Sequence, residues 1–348
     1  MKVSRRYVPR VEGLESRDCP SFTANVIGGN LVVLSNSANL TVVHQASANT
    51  YQISDGSNTV TRSNVTSMSV TTFGFSAKSV DIDFNGSSGF AAINNVVVTF
   101  LTTGSTSLTV HDGTINGYLY IFGGYGADTV NLGNSGGLTV NDATTVNLFS
   151  GIDTLNVNSG VTLQGNVYTS LIENVTLDAT STLGKNALFV AGLGSNTYNL
   201  HGTINGSVYY TGGLGSDNFT ADGNIGGDLA LVLLSGNDNV NLSGSIGQDL
   251  YINSVFFGGV KTINLGGSIG GNASIFLGYG NDVVNFTGAI TGTLNVNLGP
   301  GDDTFNFGSA ATVGSGGTID GFTGFDTFNG ISFVPANVNV INFDVVNP

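Results

Sequence analysis

The chain contains no tryptophan, and Cys19 is its only cysteine. A single cysteine excludes an intrachain disulfide and a thiolate metal cluster, so the stability of the fold has to come from packing. Only 9% of the residues are charged and 40% are hydrophobic, which is not the composition of a disordered chain. No stretch approaches the roughly 18 consecutive apolar residues of a membrane-spanning helix. We therefore expect a folded protein without a transmembrane segment.

Positive charge is also scarce. The formal net charge is -14, and beyond Arg62 the only basic residues apart from histidine are Lys78, Lys185 and Lys261. An acidic body of this kind repels the phosphates of nucleic acids and of anionic membranes. Nucleic acid is therefore not an expected partner.

The N-terminus carries a motif that bears on localisation. The Arg5-Arg6 pair resembles a twin-arginine export signal, but residues 9–12 (PRVE) stand where such a signal needs an apolar segment. Residues 8–21, VPRVEGLESRDCPS, resemble the LExRxxP segment of many surface or secreted proteins of planctomycete bacteria. The matching positions are Leu14, Glu15, Arg17 and Pro20. This resemblance implies an extracellular or envelope protein, often rich in repeats, and a disordered basic tail is the alternative.

Glycine is abundant, with 52 residues, and it punctuates an internal repeat. A Gly-x-Ile-x-Gly/Gln unit recurs at spacings of 21 to 23 residues, starting at Gly202, Gly223, Gly244, Gly267 and Gly288. Apolar residues at alternate positions follow each unit. Such alternation is typical of a strand with one buried face.

A second strand in each repeat begins after a glycine-rich turn and an acidic residue. These acids are Asp217, Asp238, Asp282, Asp303 and Asp326, with earlier relatives at Asp128 and Asp153. Apolar residues stand two and four positions after each acid. The position between them holds an asparagine in most repeats, namely Asn131, Asn156, Asn199, Asn241, Asn264, Asn285, Asn306 and Asn329.

A repeat of this length cannot bury its apolar face alone, so the repeats have to stack. Stacked copies place each strand beside its equivalent, about 4.8 Å away, and align equivalent side chains in columns. The sequence therefore predicts an all-β protein, a right-handed parallel β-helix with about 21 to 23 residues per coil and an asparagine ladder. Residues 1–21 are predicted to be a targeting or disordered segment, 22–110 irregular rungs or a cap, 111–330 the regular repeats and 331–348 a closing β cap.

The acidic turns raise the question of calcium. Residues 123–131 (GGYGADTVN) and 212–220 (GGLGSDNFT) match the nonapeptide G-G-x-G-x-D-x-U-x and thereby resemble RTX repeats. The resemblance implies calcium held by aspartates and backbone carbonyls. The candidate ligands are Asp128, Asp217, Asp238, Asp282 and Asp303. RTX repeats recur every nine residues, however, whereas this chain has one copy per coil.

Two further coils depart from the RTX pattern, because Asn196 and Lys261 stand at the position of the acid. The alternative to calcium is turn chemistry, in which aspartate and asparagine side chains bond to the backbone of a tight turn. Both interpretations remain open from the sequence.

An enzymatic role is the weakest expectation. Stacked Asp282 and Asp303 would approach the separation of a retaining glycosidase pair, but arginine is absent beyond Arg62. We expect the three histidines, His44, His111 and His201, to be ordinary surface or turn residues. The hypothesis is a non-enzymatic, extracellular or cell-surface structural or adhesive solenoid, with glycans, envelope proteins or its own copies as partners. An RTX-like calcium protein and a polysaccharide-cleaving enzyme are the alternatives.

Overall fold

The structure is a computed structural model, and it describes residues 21–348 apart from 46–48, 85–92, 135 and 255–257. The described residues form an all-β solenoid of about 11 turns, with a short 3₁₀ helix at Ile331–Phe333. The stacked parallel architecture predicted from the repeats is confirmed. The LExRxxP-like segment lies outside the described residues, except for Ser21. Within the described part, no helix has the length and apolarity needed to cross a membrane.

Each regular coil visits three sheets in turn, which we name A, B and C. One coil runs through Leu229–Val232 in sheet A, Asp238–Leu242 in sheet B and Ser245–Ile246 in sheet C before returning to sheet A at Leu250. Equivalent strands of successive coils pair in parallel, so equivalent residues lie side by side. The coils are therefore in register with the sequence repeat.

In the described residues, sheet A has 15 strands, in spatial order Phe22–Ile27, Asn30–Ser35, Ser67–Gly74, Val96–Thr102, Leu119–Phe122, Thr144–Asn147, Val167–Ile172, Ala187–Ala191, Val208–Thr211, Leu229–Val232, Leu250–Asn253, Ala273–Phe276, Leu294–Asn297, Gly317–Asp320 and Val338–Ile341. The part of sheet B that the structure describes has 16 strands, in spatial order Thr59–Arg62, Tyr51–Ser54, Asn39–His44, Lys78–Asp83, Thr106–His111, Thr129–Leu132, Thr154–Val157, Asn174–Leu177, Thr197–Leu200, Asn218–Ala221, Asp238–Leu242, Lys261–Leu265, Val283–Phe286, Thr304–Phe307, Thr327–Asn329 and Val345–Asn347. The described strands of sheet C number 10, namely Gly113–Ile115, Leu138–Val140, Val161–Leu163, Thr182–Leu183, Thr203–Ile204, Asn224–Ile225, Ser245–Ile246, Ser268–Ile269, Ala289–Ile290 and Thr312–Val313.

The core runs along the axis of the solenoid and consists of columns of apolar side chains. In most four-residue strands of sheet B the second and fourth residues point inside, as in Thr304–Phe307. Phe305 stacks on Phe328 of the next coil, with ring centroids 5.5 Å apart. Sheet C contributes a buried isoleucine to each of four successive coils, at 225, 246, 269 and 290. Each coil thus buries its apolar side chains against its neighbours and across its own interior, where the ring centroids of Tyr210 and Phe219 lie 5.0 Å apart.

The glycines at the corner between sheets B and C allow the coils to approach closely. A Cβ atom on Gly244 would lie 1.9 Å from the carbonyl oxygen of Gly223, and one on Gly267 would lie 1.9 Å from the oxygen of Gly244. No side chain fits in this space. The repeated glycine is therefore required by coil-to-coil contact.

The two ends of the solenoid differ from its middle. Among the described residues, antiparallel pairs occur only near the start, where Phe22–Ile27 pairs with Asn30–Ser35, and Tyr51–Ser54 pairs with both of its sheet neighbours. Among the described residues, the first strand of sheet C is Gly113–Ile115. At the other end, the last two strands extend sheets A and B beyond the 3₁₀ helix. Such irregular ends cover edges that would otherwise pair with another chain.

Candidate functional site

The acidic residues at or just before the start of the sheet B strands lie, together with a few other polar residues, in one column at the corner between sheets A and B. We call it the corner column. The strand registers place the following residues at equivalent positions of successive coils: Lys78, Thr106, Asp128, Asp153, Glu173, Asn196, Asp217, Asp238, Lys261, Asp282, Asp303, Asp326 and Asp344. All five candidate calcium ligands, Asp128, Asp217, Asp238, Asp282 and Asp303, belong to it and are buried.

Each carboxylate in the column accepts a backbone hydrogen bond from the preceding coil. The N–H of Lys261 donates to Asp282 Oδ1 at 2.6 Å, and the N–H of Asp282 donates to Asp303 Oδ1 at 2.6 Å. Equivalent bonds of 2.7 to 2.9 Å reach Asp128, Asp153, Asp217, Asp238 and Asp326. The side chains therefore add hydrogen bonds to the backbone ladder at the corner, where the sheet B strands begin.

The two complete nonapeptides use the second carboxylate oxygen as well. Asp128 Oδ2 accepts the N–H of Gly124 at 2.8 Å, and Asp217 Oδ2 accepts the N–H of Gly213 at 2.8 Å. Calcium needs roughly six to eight oxygen ligands, whereas these oxygens already face N–H donors. At Asp128 and Asp217 the contacts are those of turn chemistry.

Lys261 occupies the interior of the column. Its ammonium lies 2.9 Å from Asp238 Oδ2, and both side chains are buried. The same ammonium donates to the carbonyl oxygens of Gly236, Leu234 and Gly258 at 2.7, 3.0 and 3.3 Å. A carboxylate and three carbonyl oxygens thus converge on a positive charge supplied by the chain itself. Such pairing is what makes a buried charge tolerable.

Asn196 makes a neutral version of the same contacts. Its Nδ2 donates to the carbonyl oxygens of Gly192 and Gly194 at 3.1 and 2.9 Å and to Asp217 Oδ1 at 2.7 Å. Asn196 and Lys261 therefore show that carbonyl oxygens of the turn point into the corner. This position favours a hydrogen-bond donor.

Four aspartates of the corner column keep one carboxylate oxygen buried without a hydrogen-bond partner among the described residues, namely Asp153, Asp282, Asp303 and Asp326, whereas the equivalent oxygen of Asp238 faces the Lys261 ammonium. Burial raises the pKa of Asp153 to about 7, that of Asp282 to about 6 and that of Asp303 to about 8. The backbone donors oppose the rise, and neighbouring carboxylates add to it. Burial also raises the pKa of Asp128, Asp217 and Asp326. A protonated carboxyl group would provide the donor that the corner favours.

The predicted asparagine ladder is present on the outer face of sheet B. Asn264 Nδ2 donates to Asn241 Oδ1 at 2.7 Å, and the series continues without a break to Asn347, with bonds of 2.7 to 2.8 Å. Threonine interrupts it earlier, at Thr176 and Thr220. The asparagines alternate with buried residues, which settles their outward orientation.

The structure differs from the sequence expectations at the histidines and at two residues of the corner column. The histidines were expected at the surface or in turns, which is wrong for His44 and His111, because both are buried. Sequence reasoning also missed Glu173 and Asp344 as members of the corner column. Glu173 Oε2 accepts the N–H of Asp153 at 2.8 Å, although no glycine turn precedes it. Counting one coil length on from Asp153 would have found it.

No protein-family model, curated protein or solved structure matches this chain.

Proposed function

We propose that this protein is a non-enzymatic, extracellular or cell-surface β-solenoid with a structural and adhesive role, and that its adhesive surface is the outer face of sheet A. The observation that carries the proposal is a row of tyrosines on that face. Tyr120, Tyr168, Tyr209 and Tyr251 occupy the same position of every second coil, with Thr145, Leu188 and Ala230 in the coils between.

The spacing and exposure of this row suit an extended polymer. Neighbouring tyrosines are two strand spacings apart, about 9.6 Å, a distance comparable with the disaccharide repeat of an extended polysaccharide. Tyr168, Tyr209 and Tyr251 are 41%, 45% and 49% exposed. Tyrosine offers an apolar ring with a polar tip, which suits the apolar faces and hydroxyl groups of a sugar. A neutral polysaccharide is therefore the proposed ligand.

The corner column supports the structural half of the proposal. Its carboxylates are buried and bonded to neighbouring coils, so their chemistry is directed at holding the stack together. Asp282 and Asp303, considered above as a glycosidase pair, are each 1% exposed. A substrate would have no direct access to them.

Extracellular or envelope localisation is proposed from the resemblance of residues 8–21 to a surface-protein segment. An acidic, cysteine-poor solenoid has no need of a disulfide to remain folded outside the cell. Protease treatment or labelling of intact cells tests this part, because an intracellular protein would be protected.

Binding to a panel of neutral polysaccharides, measured by affinity electrophoresis, tests the adhesive role. The variants are Tyr209→Ala and the triple replacement of Tyr168, Tyr209 and Tyr251 by alanine. The matched control replaces Tyr125 and Tyr279, which are exposed on turns outside the row. We expect binding that weakens with each tyrosine of the row and is unchanged in the control.

Equal loss in the control, or no binding to any polysaccharide, would contradict the glycan proposal. Self-association then becomes the alternative, and sedimentation of the same variants measures it. Release of reducing or unsaturated sugar ends by the purified protein, abolished by a single aspartate replacement, would contradict the non-enzymatic role.

A further inference from the structure

Sheet B brings an imidazole and three carboxylates together at the edge facing sheet C. His111 and Asp83 end neighbouring strands and are register partners. His111 Nδ1 lies 2.8 Å from Asp112 Oδ2 and 3.9 Å from Asp83 Oδ1, and His111 Nε2 lies 3.0 Å from Asp81 Oδ1. Residues almost 30 positions apart thus meet because parallel strands align their ends.

The separations suit a four-coordinate metal ion. One ligand atom each from Asp83, His111 and Asp112 can be chosen so that all three lie within 4.8 Å of one another. Bonds of about 2.0 to 2.2 Å in a tetrahedral site place neighbouring ligand atoms about 3.3 to 3.6 Å apart. The two distances from His111 Nδ1, 2.8 and 3.9 Å, lie on either side of this range. Small side-chain rotations would bring all three atoms to bonding distance.

Asp81 has a different place in the cluster. Its carboxylate faces Nε2, the ring nitrogen directed away from Asp83 and Asp112. A carboxylate that accepts the N–H of one ring nitrogen leaves the other nitrogen free to bind metal and fixes the ring orientation. Asp81 is therefore a positioning residue, and Nδ1 is the ligand atom.

Charge and hydrogen bonding point to a cation in the same place. In the described part of the chain, the salt bridges of Asp81 and Asp112 are made to this one imidazole. Asp112 Oδ1 is buried there without a hydrogen-bond partner. A Cβ atom on Gly136 would lie 1.8 Å from this oxygen, so the neighbouring loop leaves room for the carboxylate only because residue 136 is glycine.

The cluster can exchange ligands with solvent. The His111 side chain is 9% exposed, whereas those of Asp83 and Asp112 are 26% and 22% exposed. Solvent can therefore reach the two carboxylates, whereas the imidazole is buried. The Asn134 amide lies 2.9 Å from His111 Nδ1, and its oxygen would reach the ion if the amide turned over.

We propose that Asp83, His111 Nδ1 and Asp112 bind one divalent transition-metal ion of the zinc type, with Asp81 orienting the imidazole. Imidazole and carboxylate together suit zinc and related ions, whereas calcium takes six to eight oxygen ligands. The site is separate from the corner column. His111 and Asp83 end the two strands whose first residues, Thr106 and Lys78, belong to that column.

Titration of the metal-free, tag-free full chain with Zn²⁺ by calorimetry tests the proposal, with Co²⁺ as a spectroscopic probe. The Cys19→Ser background removes the only thiolate. We expect one site and the visible absorption of tetrahedral Co²⁺. Asp112→Asn, which keeps a residue tolerant of the left-handed backbone at φ 60°, and His111→Gln should each weaken Zn²⁺ binding by more than about 100-fold. Asp81→Asn should weaken it by about 10- to 100-fold.

His201→Gln is the matched control, because His201 Nδ1 lies 2.7 Å from the single carboxylate of Asp222 at an exposed site. Its Zn²⁺ affinity should stay within about twofold of the parent. Circular dichroism of each variant verifies folding. Absence of Zn²⁺ binding, binding that survives both His111→Gln and Asp112→Asn in folded proteins, or an octahedral Co²⁺ spectrum would overturn the proposal.

Discussion

The ammonium of Lys261 lies 2.9 Å from Asp238 Oδ2 inside the solenoid, and both side chains are completely buried. Lys261 thus supplies a positive charge to the corner column, whereas the adjacent coils supply the carboxylates of Asp238 and Asp282. The ammonium also donates to three carbonyl oxygens, so its removal would leave these oxygens and the Asp238 carboxylate without that donor.

Lys261→Met should therefore be strongly destabilising. Breaking a buried pair by removing one partner costs about 3–5 kcal/mol, and we expect a loss of this size in urea unfolding. Lys185→Met is the control, because Lys185 is exposed, and it should change stability by less than about 0.5 kcal/mol. Adding Asp238→Asn to Lys261→Met should recover part of the loss, since no charge then remains unpaired. A loss below about 1 kcal/mol for Lys261→Met would contradict this account.

Stability should fall as the pH rises through neutrality. Burial raises the pKa of Asp303 from 3.8 to about 8, with the carboxylates of Asp282, Asp326 and Asp302 adding to the effect. Between these two pH values the folded state holds a proton that the unfolded state has released. The contribution of such a site to the unfolding free energy is therefore fully present at and below about pH 4, and for Asp303 it decreases by about 1.4 kcal/mol per pH unit toward pH 8.

Asp303→Asn tests which residue is responsible. The amide keeps an acceptor for the N–H of Asp282 and cannot ionise, so the variant should be more stable than the parent at pH 8 and should show a shallower pH dependence. Asp142→Asn changes an exposed aspartate outside the corner column and should leave the slope unchanged. Urea unfolding from pH 4.5 to 8.5 measures both. A parent protein that gains stability across this range would refute the assignment.

Gly244→Ala should destabilise the stack although it adds a single methyl group. The new Cβ would lie 1.9 Å from the carbonyl oxygen of Gly223, so neighbouring coils must separate. Overpacking of this kind costs about 1–3 kcal/mol. Gly194→Ala is the matched control, because nothing lies within 4 Å of its Cβ position. Equal melting temperatures for the two variants would argue against a steric role for the corner glycines.

Calcium addition separates the two interpretations of the acidic turns. The hydrogen bonds to Asp128 and Asp217 favour turn chemistry, for which we expect no change in melting temperature across millimolar calcium. The RTX-like alternative, with Asp238, Asp282 and Asp303 among its ligands, predicts that chelation lowers the melting temperature and that calcium restores it. Calcium binding by these aspartates stays a prediction that this measurement tests. The His111→Gln background removes any contribution from the proposed zinc-type site.

The sequence was sufficient for the architecture. A nearly constant repeat length aligns equivalent residues, and strict alternation assigns each to the inside or the outside of a strand, as at Val284 and Asn285. Both signals recur in every regular coil, so the assignment of an irregular coil can be checked against its neighbours. The irregular start was harder to predict, because residues 22–62 include antiparallel pairs without a repeat to count.

The candidate sites were predicted only in part. The repeat placed the acids in one column, but it did not show that their oxygens accept N–H groups of the preceding coil or that Lys261 is enclosed among carbonyls. His111 belongs to no repeated motif, so no pattern linked it to Asp83. The tyrosine row could not be recognised in the sequence, because the coils between Tyr120 and Tyr251 differ in length.

By itself, then, the sequence determined a stacked β-solenoid with aspartates and asparagines in columns, since periodicity alone specifies which residues are equivalent. Only the tertiary structure decided what those columns do. Coil-to-coil contact at one strand spacing buries the aspartates, directs their oxygens to backbone donors and raises their pKa values. The same contact brings His111 to Asp83, because closeness across coils depends on three-dimensional register and not on separation along the chain.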